Sequence, residues 1–461
     1  MIAIFDSYDD ATKTLMCSLQ TAGITYLPLF VQGDGHLPKG SMSPFTYYAL
    51  DCCVDCHTDC ADTANSSGGN GSSAQGMRGT ELFFNEVPVP ENYEIRQSDN
   101  PFGEILHDGY LVGRIHYRQD SFRRVESVDW LDRDGKTRRT DCYDQHGRHY
   151  AALHYHQGRA YQKVYYCHCD KRRELIQHNL FTGTITLEHK DKHYIFDSLT
   201  NFFLYFLQDI ALPQDKVITN SLSHPLFIAR RWCKRPNTVL FWQEQTGDHV
   251  PGNMEEELLR QKALSDIVFC DQAQLQRAIQ QFSGSKVDLH YLSAIGQFAA
   301  HDNYESGRIF TLTASDHLPE IEQLLVSFPQ ATFVVAALTQ MSQKLRDLAD
   351  AHPNLELMSV IDRAEIAGQL ERASVYLDIN AGAQVLNIVK DAYHAGLLVL
   401  ALTDQAKVTD YSLHYAESDQ LSNDLAKALA GSQERSQLLR QLHEKRGPLS
   451  SSDDYVKFFD K

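Results

Sequence analysis

The sequence predicts an α/β protein of two Rossmann-like halves, with an antiparallel β-sheet domain inserted into the first. Three observations predict it. The N-terminal residues, and again those from 199 onward, alternate short apolar runs with amphipathic stretches of helical period. From about residue 286 to the end the same alternation recurs, as expected of a parallel sheet covered on both faces. Between 81 and about 196, strand-like runs follow one another across turn residues with no helical period. The expected divisions are 1–80 and 199–285 for the first half, 81–198 for the inserted sheet, and 286–461 for the second half.

In chain order, residues 1–5 (MIAIF) read as the first strand. Asp9 and Asp10 cap a helix that turns Leu15, Met16 and Leu19 inward and ends at Gly23, and residues 24–31 return as a strand. No G-x-G-x-x-G follows the first strand, so a dinucleotide site is not supported. Residues 62–79 (DTANSSGGNGSSAQGMRG) bury too little apolar surface to be more than a flexible loop.

The inserted sheet reads as a meander. Asp132-Arg133-Asp134-Gly135, Gln145-His146-Gly147 and Gln157-Gly158 have hairpin-turn chemistry, with Tyr, Val, Leu and Ile expected on one face and Arg, Lys and His on the other. Such a sheet exposes edges and an open face, and is expected to find a partner surface. Beyond it, residues 200–212 (with FFLYFL) read as a buried helix, 238–242 as a strand and 255–262 as a helix. In the second half, strands at 308–313, 332–338, 355–361, 375–379 and 397–402 alternate with helices begun near Asp316, Met341, Asp362 and Ala383. Residues 422–430 and 433–445 close the chain as helices.

Composition excludes several classes. A net charge of −17 argues against a general nucleic-acid binder, although the inserted sheet is mildly basic and rich in His. No apolar run approaches the ~20 residues of a membrane span. The start MIAIFDSYDD has no basic region ahead of an apolar core, so no signal peptide and a cytoplasmic location are expected, and the 10 Cys are expected to be reduced. Cys52, Cys53, Cys56 and Cys60, with His57, have zinc-like spacing but crowd into one short stretch. Free thiols are the preferred reading over metal. The Cys167-His168-Cys169 run is placed on a strand, and no cofactor is expected.

The stretch 376–402 (YLDINAGAQVLNIVKDAYHAGLLVLAL) has the form of strand, loop, helix, Gly turn and strand, a βαβ unit whose loop lies where α/β proteins place ligands. It resembles the donor-site segment of retaining GT-B glycosyltransferases, in which two Glu residues eight positions apart hold the sugar nucleotide. Asp391-Ala392 and Gly396 match the second half of that pattern; counting back eight from Asp391 gives Ala383, which carries no carboxylate. Such enzymes also need cations against the leaving diphosphate. Where relatives carry an Arg and a Lys after the first strand of this half, this chain has Thr311-Leu312-Thr313-Ala314-Ser315-Asp316-His317, with Arg308 at the strand start and no Lys before Lys344. Asp316 would repel a diphosphate, or cap a helix.

A GT-B fold with a β-meander in its first half resembles the two related subunits of the accessory-Sec O-linked N-acetylglucosaminyltransferase, which modifies serine-rich repeat adhesins of Gram-positive bacteria. MIAIFDSYDD, FFNEVPVP at 83–90, Thr311–Ser315 and the loop at Asp378-Ile379-Asn380 are similar to its non-catalytic B subunit. The resemblance implies a glycosylation chaperone rather than an enzyme. Its partners would be the catalytic subunit and the serine-rich acceptor, and it would sit peripherally at the cytoplasmic membrane face through the complex. Trp242, Asp378, Asn380 and Asp391 are the candidate acceptor-binding residues. Each has a plainer alternative: core packing for Trp242, turn bonding for Asp378 and Asn380, a surface helix position for Asp391. The competing functional readings are an active retaining transferase with an unusual UDP-sugar site, and a metal-dependent module built on the Cys cluster.

Overall fold

The computed structural model describes residues 1–33, 35–55, 80–97, 102–118, 123–167, 173–244, 250–295, 304–445 and 447–460. Among these residues there are three sheets: two parallel sheets of six strands and one antiparallel sheet of ten. The chain divides into two compact units.

In the first unit the strands Ile2–Phe5, Leu27–Phe30, Val217–Thr219 and Thr238–Trp242 pair in parallel. They are almost wholly apolar, as strands buried on both faces must be. Asp9 accepts the Thr12 N–H (2.8 Å) at the start of Asp10–Thr21, and Gly23 takes a left-handed conformation (φ 71°) after its end. The FFLYFL segment lies in the helix Leu199–Ile210, with Phe202, Phe203, Phe206 and Leu207 fully buried. The first sheet also recruits Asp288–Tyr291 as its edge strand, so it extends past the expected division at residue 285.

The antiparallel sheet runs in simple sequential order from Tyr93–Gln97 to Lys192–Phe196. One expectation fails here: the apolar residues do not keep to one face. Register places Ile105, Ile115 and Val128 on one face, where they pack with Val87. Farther along, Ala151, Tyr165, Ile176 and Leu187 are buried on the opposite face, against Phe45, Tyr48 and Phe202. Because side chains alternate strictly along a strand, two neighbours on opposite sides of one sheet split its apolar residues between the faces. Tyr110, Phe181 and Ile195 remain 76%, 66% and 75% exposed.

The second unit holds the other parallel sheet, ordered Leu355–Ser359, Thr332–Ala337, Arg308–Leu312, Val375–Asp378, Leu398–Leu402, Leu413–Tyr415. Its core is one cluster of strand and helix side chains centred on Phe310, Val334, Leu377 and Leu400. Two helices begin later than expected. The helix expected near Asp316 starts at Ile321. Pro319 disfavours a helical residue before it, so Asp316 caps nothing and lies exposed in the loop. The helix expected near Ala383 starts at Ile388, because Asn380 folds the preceding residues into a turn of their own. Asp362 does cap its helix, Arg363–Arg372, reciprocally with Glu365. Among the described residues no helix is long and apolar enough to cross a membrane.

Cys17, Cys142, Cys233 and Cys270 are free thiols, but Cys167 is disulfide-bonded, so the expectation of reduced cysteines fails at that position. The expected strand at Cys167 stops one residue short, at Tyr166. His168 and Cys169 lie outside the described residues, as do His57, Cys56, Cys60 and the loop at 62–79, together with the side chains of Cys52 and Cys53.

Candidate functional site

In the second unit the chain first builds outward from Arg308–Leu312 to Thr332–Ala337 and Leu355–Ser359. It then returns to place Val375–Asp378 on the other side of Arg308–Leu312. Strand order therefore reverses between these two neighbours, and the loops leaving their carboxyl ends flank the crevice where an open α/β sheet holds its ligand. These loops contain Thr313–His317 and Ile379–Ala383, the two segments the sequence singles out.

The loops bond to each other. The Thr313 hydroxyl lies 2.9 Å from Asn380 Oδ1 and 2.6 Å from the Ser315 carbonyl, and the Ala381 N–H donates across the gap to His317 O (3.1 Å). Asn380 Oδ1 also accepts the Gly382 N–H (2.8 Å), while its Nδ2 donates to Ala383 O (2.9 Å). Gly382 sits hard against the other loop: a Cβ there would lie 3.0 Å from Ser315 Cβ and 3.2 Å from the Ala314 carbonyl carbon. Asp378 Oδ2 accepts the Lys407 N–H (2.9 Å), and the Lys407 ammonium donates to Asn380 O (2.7 Å). Burial raises the Asp378 carboxyl above its ordinary value, partly offset by the Lys407 N–H and ammonium.

A diphosphate is bound by backbone N–H groups and cations left free to meet it. In this crevice the Ala381 and Gly382 N–H groups and the Lys407 amine are bonded to the protein itself. Arg308 cannot substitute. It is the first residue of its strand, about 13 Å from the ligand edge, and its buried guanidinium is held by Gln369 (3.0 Å) and Glu356 (2.9 Å). Lys344 is exposed on the helix Gln343–Ala351.

The four candidate acceptor residues are placed as follows. Asp378 and Asn380 are each 2% exposed and bond backbone, in the turn-stabilising role. Trp242 is 3% exposed at the end of a fully buried strand and offers no free ring face. Asp391 is exposed on the helix Ile388–His394, and of the four it alone presents its side chain. Sequence reasoning assigned no role to Gly382 or Lys407. Neither is marked by any local pattern, since their roles come from a crossing that joins loops far apart in the chain.

Two parallel α/β halves, a switch-point crevice in the second and a sheet inserted in the first define a GT-B glycosyltransferase scaffold. Solved structures agree. The chain aligns over 100% of its length, and 99% of the other's, with a chain in the crystal structure of a GtfA/B complex bound to UDP and GlcNAc (TM-score 0.80, 29% identity). At 11% identity and TM-score 0.53, the pneumococcal O-GlcNAc transferase GtfA in complex with UDP and GlcNAc shares the fold, over 100% of this chain and 97% of that one.

Family profiles match in four blocks: GtfB N-terminal domain (2–48), GtfB middle domain (93–197), GtfB third domain (199–281) and GftB/GlyA-F C-terminal domain (309–443). A protein of Streptococcus gordonii named UDP-N-acetylglucosamine–peptide N-acetylglucosaminyltransferase stabilizing protein GtfB is 31% identical over 441 residues, 94% of this chain and 92% of that one. The protein of the same name from Streptococcus parasanguinis is 30% identical over 409 residues, 87% and 86% of the two chains. The chain belongs to the GtfB family.

Proposed function

We propose that this chain is the non-catalytic subunit of a two-subunit protein O-N-acetylglucosaminyltransferase. It stabilises a catalytic partner of the same fold and holds the serine-rich acceptor during transfer. The observation that carries the reading is the self-bonded crevice between Thr313–His317 and Asn380–Ala383, where the Ala381 and Gly382 N–H groups and the Lys407 ammonium already bond the protein itself. Losing each charge-assisted contact to a buried ligand costs about 1.5–3 kcal/mol, and several are lost here together. Solved relatives that share the fold include GtfA/B complexes, which supports assembly with a catalytic subunit. The apolar side chains Tyr110 and Ile195, left exposed on strands of the antiparallel sheet, and Phe181, exposed in the turn after Glu174–Asn179, are the docking points we assign to that partner. A disordered acceptor binds weakly per contact, so a second linked site raises its effective concentration at the enzyme. We place the complex in the cytoplasm at the membrane face.

Calorimetry of the isolated chain with UDP-N-acetylglucosamine is expected to show no binding at micromolar affinity, and the chain alone is expected to transfer no sugar to a serine-rich peptide. Co-expression with the catalytic subunit should raise that subunit's soluble yield. Micromolar UDP-sugar binding, or transfer by the isolated chain, would establish the alternative of an active enzyme.

A further inference from the structure

The ten-stranded antiparallel sheet ends on one side at Lys192–Phe196, which carries Lys192 and His193 and packs Tyr194 and Phe196 on the helix Leu199–Ile210. Its other end is Tyr93–Gln97 (YEIRQ). Among the described residues this strand pairs only with Phe102–His107, so its outer backbone groups face away from the sheet. An uncovered edge is a template for another strand, and proteins block one with Pro, a bulge or charge, Lys above all. Tyr93–Gln97 has no Pro and no Lys, and it pairs in unbroken register from Tyr93 opposite His107 to Gln97 opposite Gly103. Its two charges, Glu94 and Arg96, are of opposite sign.

The two faces of the strand differ. Ile95 lies opposite Ile105, and Tyr93 and Ile95 pack, half-buried, at the margin of the cluster built on Ile105, Ile115 and Val128. Glu94 and Arg96 stand exposed on the opposite face, where Arg96 comes no nearer than 3.9 Å to Glu104. The order of these residues is self-complementary. A second copy can add antiparallel about a twofold axis normal to the sheet, which keeps the same face uppermost in both and sets one residue opposite its own copy. Centred on Ile95, this pairing puts Tyr93 against Gln97 and Glu94 against Arg96, each twice. Centred on Glu94 or on Arg96, it would oppose like charges. Opposite charges across a strand pair stabilise it and like charges destabilise it, so the residue order selects the register centred on Ile95. In that register the apolar face runs on from one copy into the next.

We propose that Tyr93–Gln97 is a self-association edge, at which a second copy of this chain pairs antiparallel about Ile95. A five-residue pairing buries less than the roughly 1,000 Å² of a stable complex, so the dissociation constant is expected on the order of 10–100 µM. The edge lies at the opposite end of the sheet from Ile195, and the pairing is separate from the docking of a catalytic subunit there.

The test is sedimentation velocity of the full-length chain over a concentration series. Wild type is expected to pass from one copy to two as concentration rises through that range. Glu94→Arg and Arg96→Glu each set like charges across the axis and should weaken pairing by about tenfold or more. Mixing the two variants should restore it, since the arginines of one copy then face the glutamates of the other. Ile195→Lys should leave self-association unchanged. Should Arg96→Glu fold poorly beside Glu104, Glu94→Arg carries the test alone, with pairing lost at an unchanged melting midpoint. A wild type that stays single at about 200 µM would overturn the inference. So would single variants that still pair, or a mixture of two folded variants that does not. A wild type that stays single while Glu94→Arg weakens the complex with the catalytic subunit would overturn it too, and give the edge to that partner.

Discussion

Replacing Asn380 with Ala separates a structural role for this residue from a ligand-binding one. The side chain is 2% exposed; it accepts the Gly382 N–H, donates to Ala383 O and meets the Thr313 hydroxyl. At about 1 kcal/mol per bond, with a further penalty for buried groups left unpaired, the substitution should loosen the paired loops by about 3 kcal/mol. A local opening equilibrium shifted by that amount raises amide exchange by roughly a hundredfold. Tryptophan fluorescence would miss the event, because Trp130, Trp232 and Trp242 all lie in the other unit. Hydrogen-exchange mass spectrometry of peptides covering 311–317 and 379–384 is therefore the assay, with peptides from the antiparallel sheet as internal control. UDP-N-acetylglucosamine should still fail to bind, since loosening the loops creates no cation. The reasoning is refuted if exchange in both peptides is unchanged, or if Asn380→Ala abolishes acceptor binding while the loops stay protected.

Other predictions follow from single contacts. Ile195→Lys places a charge on an exposed apolar position of the antiparallel sheet. It should weaken the complex with the catalytic subunit about tenfold by size-exclusion or biosensor titration, without moving the chain's own melting midpoint. Gly35→Ala should cost about 1–3 kcal/mol by overpacking against Asp144 and Tyr150, read from denaturant midpoints of the first unit. Burial, reinforced by Arg435, pushes the His443 imidazole down from 6.5 to about 4. The unfolded chain therefore takes up that proton first, and the second unit should lose up to about 3 kcal/mol as pH falls from about 6.5 to about 4. His443→Leu should flatten this window in pH-dependent melting, and an unchanged profile would show that His443 does not titrate there.

The strands of the second half were legible because parallel strands buried on both faces read as continuous apolar runs; Arg308–Leu312, Thr332–Ala337 and Leu398–Leu402 fall within a residue or two of expectation. Helix starts were less legible. The two that began late were delayed by Pro319 and by the Asn380 side chain, one a steric veto and the other a local competition for backbone groups. The antiparallel sheet announced its turns but not its sides, since alternation states that two faces differ and not which neighbour each will meet. At the crevice, the missing Glu at Ala383 and the missing cations after Leu312 could be read residue by residue. The closure could not, because Thr313 meets Asn380 only once the chain has returned to place Val375–Asp378 beside Arg308–Leu312.

On the non-catalytic role proposed above, that distinction bears on how a transferase scaffold can lose its chemistry and keep its fold. The second unit's stability resides in Phe310, Val334, Leu377, Leu400 and their neighbours, none of which faces the crevice loops through a polar group. A donor site works against this stability, because N–H groups and cations must be left unpaired until a nucleotide arrives. Once a partner supplies the chemistry, nothing opposes the loops satisfying one another. A side chain at position 380 that bonds across the gap, a glycine at 382 that permits contact, and Lys407 turned onto a carbonyl then each add stability. On that proposal the crevice is a relaxed site rather than a damaged one. Placing Glu at position 383 alone is accordingly expected not to confer donor binding, because the Asn380–Gly382 turn and the Ala381–His317 bond would still hold two of the N–H groups that face the crevice.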